Sequence, residues 1–312
     1  MTVPDSSPPS PDTDAPGDET PVCVLAFNAS DPSGAGGLPG DVMAIASVGA
    51  HTLPIVTGSY ARDTAEIFDH FAMDEDAVAE QARTILEDVA VLAIKVGFVG
   101  TPENVSAIAG IATDYADVPV IAYMPNLSWW DENDIDAYLD AFRELMLPQA
   151  AVLVGNHSTL WRWLLPDWSS ERPPTAKDIA RAAAEAGTPY TLVTGVPLPE
   201  QFIDNVLASP QQVLASAKFE RFEAVFAGAG DTLSAALTAL VASGVDLAQA
   251  ATEALAYLDR SLDGGFRPGM GHILPDRLFW AQSDEEGDAE DPVDPQADEL
   301  QLLNFPRNDL KH

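Results

Sequence analysis

The sequence predicts an α/β fold, a mostly parallel central sheet flanked by helices, and three observations carry that expectation. Short apolar runs bounded by turn residues alternate with longer segments of helical period, as parallel strands and their covering helices do. The first such run, "VCVLAF" at 22–27, opens directly into the glycine-rich turn "FNASDPSGAGGLPGD". Hydrophobic residues make up 46% of the 312, enough to bury one large core or two smaller ones.

Taken in order, strands are expected at 22–27, 52–57, 91–96, 118–124, 151–155 and 190–195, each a run such as "TLPIVT" or "VPVIAYM" with little charge. Helices are expected between and after them, at 39–48, 74–87, 103–114, 133–146, 157–165, 176–186, 230–243 and 247–262. Residues 202–226 read as one or two antiparallel edge strands. Gly187 and Gly244 stand just past a periodic segment, where a helix takes a left-handed cap. No repeat and no linker divides the body, so 21–281 is expected to be a single domain. The Pro- and acid-rich ends, 1–20 and 282–312, are expected to be disordered, since they bury too little apolar surface to offset ordering entropy.

The formal charge of −34, from 49 acidic and 15 basic residues, excludes non-specific binding to nucleic acid or to an anionic membrane. A small-molecule partner fits instead. The lone Cys23 rules out a disulfide framework and a cysteine metal site. The acidic N-terminus is unlike a signal peptide and no run reaches 18 apolar residues, so the expected location is the cytoplasm.

Ligands of open α/β sheets bind beyond the carboxyl ends of the strands. After the first strand, "GAGGLP" nearly matches a dinucleotide fingerprint, but Pro39 stands where a small residue must let helix and strand approach. The loop then reads in two ways. Its glycines bring backbone N–H groups to a ligand beside Asp31 and Asp41, or it is a plain helix start with Asp31 or Ser33 as cap and Pro39 in the first turn. Late in the chain, Gly228, Ala229 and Gly230 precede an apolar helix that carries Asp231 and Thr232 in its first turn. Such a start is an anion site, and Asp231 is either a base for a hydroxyl proton or a residue complementing the helix dipole. No Walker motif is present.

Together these stretches carry a resemblance. "ASDPSGAGGLPGDVMAIASVGAHTLPIVT" resembles the N-terminal signature of the hydroxymethylpyrimidine and phosphomethylpyrimidine kinases, and "GAGDTLSAAL" is similar to the anion-hole motif of the ribokinase-like superfamily. "AIKVGFVG" (93–100) and "LMLPQAAVLVGN" (145–156) follow the family in the same order. The resemblance implies a three-layer ribokinase-like fold and ATP- and magnesium-dependent phosphorylation of a hydroxymethyl group, or of a phosphate already there, in thiamine biosynthesis. It implies Asp231 as base, with Gly228, Ala229, Gly230 and Asp231 around the anion hole. Asp41, Gly34, Gly36 and Arg62 fall on the pyrimidine side. Lys95, Asn156, Thr194 and Gly195 are assigned to the nucleotide, a paired or solvated lysine being the other reading of Lys95. A homodimer is suggested by family habit.

Four departures stand out. Asp231 takes the place of the family's usual cysteine, and Arg62 and Asp63 replace a Gln-Asn pair. Arg62 either engages a phosphate or pairs with a neighbouring carboxylate. "YMPNLSWWDE" (123–132) replaces "DPVM", and "NHST" (156–159) lacks a glutamate, so two acidic groups linked to metal handling are gone. Trp129 and Trp130 read as a ligand-covering flap or as core. A kinase for a pyridoxine-type vitamer and a catalytically weak pyrimidine-binding regulator are the alternative functions.

Overall fold

Nine strands form one sheet in the order β3-β2-β1-β4-β5-β6-β7-β8-β9. The computed structural model describes residues 20–221 and 224–281, so the tails expected at 1–20 and 282–312 lie, apart from Thr20, outside the described residues. Backbone contacts separate Met1–Phe279, which holds the sheet, from a second unit, Trp280–His312.

Six strands run parallel: β2 (His51–Arg62), β1 (Cys23–Ser30), β4 (Ala93–Val96), β5 (Val120–Met124), β6 (Val152–Asn156) and β7 (Tyr190–Pro197). Antiparallel β3 (Ile67–Ala72) flanks one end, and β8 (Phe202–Ala208) and β9 (Val213–Glu220) flank the other. Alternation within a strand divides the core in two. Leu25 and Phe27 face one hydrophobic layer, while Val24 and Ala26 face the other.

The first layer is covered by α2 (Glu75–Leu86), α3 (Pro102–Asp114), α4 (Glu132–Ala141), α5 (His157–Leu164) and α6 (Ala176–Glu185). The second is covered by α1 (Gly37–Ser47), α7 (Ala229–Ala242) and α8 (Leu247–Asp263). The three-layer ribokinase-like arrangement expected from the sequence is therefore what the chain adopts. Because β1 pairs with β2 on one side and β4 on the other, strand order reverses at β1, which opens a crevice at the carboxyl ends.

The main differences from expectation have physical causes. β3, with "IFDHFA" half or fully exposed along its length, has no apolar alternation to announce it and forms by pairing with the outer end of β2. The helix expected at 133–146 stops at Ala141 and continues as a π turn, Phe142–Met146, followed by a 3-10 turn at Leu147–Gln149. The widened turn carries Phe142, Met146 and Leu147, all fully buried, and Pro148 bars a return to α geometry.

Six helices begin on side-chain caps: Asp74, Thr101, Asp131, Asn156, Thr175 and Asp246. α1 and α7 instead begin on Gly36 and Gly228, with no side-chain cap. Neither Asp31 nor Ser33 caps α1, since the helix starts later; Asp31 winds the loop around itself instead.

Beside the crevice, Phe98 is 1% exposed and centres an aromatic cluster. Tyr60 stacks on it at 5.7 Å, and His70, Trp129, Trp130 and Tyr138 pack around it with centroids 4.9–5.6 Å away. Replacing Phe98 with alanine leaves a cavity under this wall. Phe98→Ala is expected to lower unfolding stability by roughly 3–5 kcal/mol in urea titrations, a loss that Phe98→Leu largely restores.

Candidate active site

The site starts at the end of β1. Asn28 is 1% exposed, and its Oδ1 accepts N–H bonds from Ala29 (2.9 Å) and Phe98 (3.2 Å). With the oxygen so occupied, the amide orientation is decided: Nδ2 points inward and donates to Asp41 Oδ2 and Asp231 Oδ1, both at 2.9 Å. Gly97 at the end of β4 makes room, since a β-carbon there would lie 2.5 Å from the Asn28 side chain.

Lys95, from β4, is fully buried between the same carboxylates. Its Nζ donates to Asp41 at 2.7 and 2.8 Å and to Asp231 at 2.9 Å. One cation thus serves two acids. Burial drives the Asp41 carboxyl up to about 7; Lys95 pulls against that rise, and the Asp231 charge adds to it. Burial also acts upward on Asp231, but Lys95 together with donors from Gly37 and Asn28 outweighs it and holds this carboxyl below its usual range. Burial opposes the Lys95 charge, yet the two carboxylates more than compensate and raise its pKa.

The two glycine motifs meet at Asp231. Its Oδ2 accepts the Gly37 N–H at 3.1 Å, and a β-carbon at Gly36 would sit 2.6 Å from that oxygen. Gly228 has φ +84°, and a β-carbon there would collide with the Ala35 carbonyl. Arg277, only 3% exposed, ties the motifs together through neutral oxygens. It donates to Thr232 Oγ1 at 2.9 Å, to the Gly34 carbonyl at 3.2 Å, and to the Ala35 carbonyl. Asp31 accepts from Ser33 N–H and Oγ and from Gly36 N–H, and pairs with Arg62 at 3.1 Å.

Toward β7, a cleft of about 570 Å³ is lined by Asn156, Gly195, Phe202, Phe219, Ala229 and Leu262 among others. Its lining reaches Ala229, the first residue of α7, two residues before Asp231. Among the described residues, no group of three or more His, Cys, Asp or Glu side chains could hold a metal ion. A magnesium ion carried by nucleotide phosphates and water would need no such group.

Residues 31–276 match the model of the phosphomethylpyrimidine kinase family. The chain belongs to that family. It is 25% identical to a hydroxymethylpyrimidine/phosphomethylpyrimidine kinase of Streptomyces coelicolor, over 84% of this chain and 96% of that one. A kinase of the same description from Mycobacterium tuberculosis is 25% identical over 85% and 97% of the two chains. The fold is shared with an ADP complex of Bacillus subtilis pyridoxal kinase, at TM-score 0.75 and 21% identity, over 85% of this chain and all of that one. A phosphomethylpyrimidine kinase from Clostridium difficile superposes with TM-score 0.63 at 19% identity, covering 77% and 99%.

In this phosphomethylpyrimidine kinase family member, Asp231, Ala229, Gly230 and Gly228 lie together at the start of α7, and Gly34 and Gly36 pack against them. Asp41 is close by but enclosed, both oxygens taken by Lys95 and one also by Asn28, so it presents no surface to a ligand. Lys95 is not among the residues lining the nucleotide cleft and is the paired lysine of its alternative reading. Arg62 pairs with Asp31. Asn156 and Gly195 line the cleft, whereas Thr194 Oγ1 donates to the Gly155 carbonyl at 3.4 Å. Trp129 and Trp130 pack half-buried on the aromatic cluster. Asn28 and Arg277 escaped sequence reasoning: the first is a lone amide after an apolar run, and the second has partners 45 or more residues away in sequence.

The raised Asp41 carboxyl has a stability signature. Between about pH 4 and about 7 the folded chain binds the Asp41 proton more tightly than the unfolded chain, so this group's contribution falls as pH rises through that window and is level above it. Urea titrations of wild type and Asp41→Asn are expected to show the variant gaining ground from pH 4 to 7 and no further change to pH 9. A difference independent of pH would contradict the shared-cation arrangement.

Proposed function

We propose that this chain transfers the γ-phosphoryl group of ATP to the hydroxymethyl group of a hydroxymethylpyrimidine, to the monophosphate of that alcohol, or to both. The observation that supports it is the ionised Asp231 carboxylate at the uncapped start of α7, beside the cleft that suits a nucleotide. Residues 21–281 are taken as the kinase domain, acting in the cytoplasm, with a homodimer as its assembly by likeness to the family.

In this reading Asp231 accepts the proton of the substrate hydroxyl while that oxygen forms its bond to the γ-phosphorus and the bond to ADP breaks. Lys95 and Asn28 hold the carboxylate in place and keep it charged. The N–H groups of Ala229, Gly230 and Asp231 take the developing negative charge, favoured by the α7 dipole. Asn156 and Gly195 border the nucleotide; Tyr60 and the aromatic wall behind it offer a flat face to a heteroaromatic ring. Magnesium, arriving with the nucleotide, supplies charge neutralisation on its phosphates.

A pyridoxine-type acceptor is the second reading, favoured by Arg62 standing in the place of a glutamine amide. The test is ADP release by the purified protein with ATP, magnesium and, separately, hydroxymethylpyrimidine, its monophosphate and pyridoxine. Turnover of either pyrimidine is expected. Turnover of pyridoxine alone would replace the acceptor, and tight pyrimidine binding without turnover would make the chain a binding protein. On the active acceptor, Asp231→Asn is expected to lower kcat by roughly 10²–10⁴-fold; an unchanged kcat removes Asp231 as base.

A further inference from the structure

Tyr123, near the end of β5, carries a polar group for which the fold provides no partner. Its ring belongs to the hydrophobic layer under α7, and Lys95 Nζ lies 5.7 Å from the ring centre. Its hydroxyl rests against Gly230 in the first turn of α7, where a β-carbon would collide with Oη. Among the described residues it makes no hydrogen bond, and because the residue is only partly buried the hydroxyl is left available to a group entering the crevice. Burial and the nearby Asp231 and Asp41 charges raise its pKa, so the group stays protonated and is a donor throughout the working pH range.

The surroundings say what kind of group would accept from it. The nearest structural features are the uncapped N–H groups of α7 and the Asp231 carboxylate, which already accepts from Lys95, Asn28 and Gly37. Arg277 nearby shows the contrast, since its guanidinium is spent on Thr232, Gly34 and Ala35 inside the protein. The Tyr123 hydroxyl is therefore a donor beside the uncapped start of α7, next to an Asp231 carboxylate that already has three donors of its own.

We propose that Tyr123 Oη donates a hydrogen bond to a non-bridging oxygen of the phosphoryl group in transfer, closing the charge cradle begun by the N–H groups of Ala229, Gly230 and Asp231. The proposal rests on the phosphoryl-transfer reading above. No proton leaves the phenol: the substrate hydroxyl proton passes to Asp231, the new O–P bond forms, and the bond to the ADP oxygen breaks. Tyr123 acts as a catalytic residue by holding charge that grows on the transferred group, and Gly230 is the residue that lets its oxygen come close enough.

The test is Tyr123→Phe, which keeps the ring. Because no internal hydrogen bond is lost, the variant's thermal midpoint is expected to match or exceed that of wild type. On the active acceptor kcat is expected to fall about 10²-fold, the scale of removing one oxyanion donor, with KM for ATP and acceptor within about twofold. Independently of turnover, calorimetry of ADP with magnesium and aluminium fluoride, against ADP with magnesium alone, is expected to show a gain in affinity for wild type that Tyr123→Phe loses. A kcat within threefold of wild type, a loss expressed in KM alone, or an unchanged fluoride increment overturns the proposal. A lowered midpoint overturns it too, by revealing an internal partner. If wild type turns over none of the acceptors, the kinase reading fails, and the fluoride comparison alone decides the role of Tyr123.

Discussion

The ammonium of Lys95, enclosed between Asp41 and Asp231, is the interaction on which the rest of the crevice depends. It joins a strand, β4, to helices on the opposite layer, α1 and α7. Removing one member of such a buried set commonly costs about 3–5 kcal/mol, because the remaining charges are left without compensation. One cation cannot neutralise two acids, so the surplus negative charge must settle somewhere. Asp231 has Gly37 N–H in addition to the donors it shares with Asp41, and it is the less enclosed of the two, with a side chain 17% exposed against 0%. The charge is favoured there, on the carboxylate that faces the crevice, while burial raises the carboxyl of Asp41.

Two arginines show different solutions to the same problem of burying a cation. Arg62 meets the Asp31 carboxylate and forms a compact neutral pair at the base of the glycine loop. Arg277 forms no ion pair with a carboxylate among the described residues and is solvated by carbonyl and hydroxyl oxygens drawn from both glycine motifs. That arrangement works because a planar fork of donors can reach several fixed oxygens at once, where an ammonium could not. It also makes the loop and the start of α7 move as a unit. The positive charge lies close to Asp231 without bonding to it, which adds to the field favouring an anion at this end of the helix.

Much of this was legible in the sequence because it depends on periodicity. Strands such as "VCVLAF" and "AVLVG" are uninterrupted apolar runs buried on both faces, and helices such as the one at 247–262 bury one regular face, patterns that survive without coordinates. β3 was hidden because most of its residues are exposed; it is held by pairing with β2 and by His70 against the aromatic cluster, neither of which gives an apolar pattern. Asp231 and the glycines around it were legible from their local chemistry. Asp41 was given a ligand contact because an acidic residue on the first helix looks free until the partner 54 residues later is known. Asn28 and Arg277 give no local signal at all, since what defines them is which distant oxygens they reach.

The division of labour at the crevice also explains how departures at the acceptor end coexist with an intact proton acceptor. Asp231 is held by Asn28, Lys95 and Gly37, none of which touches Arg62. The Arg62–Asp31 pair adjoins this set at the glycine loop, where Asp31 accepts the Gly36 N–H next to the Gly37 N–H that Asp231 accepts, and where Gly37 packs against Asp31. The hydrogen bonds that hold the Asp231 carboxylate are thus separate from the ion pair made by Arg62, and both sets meet at consecutive N–H groups of one glycine loop.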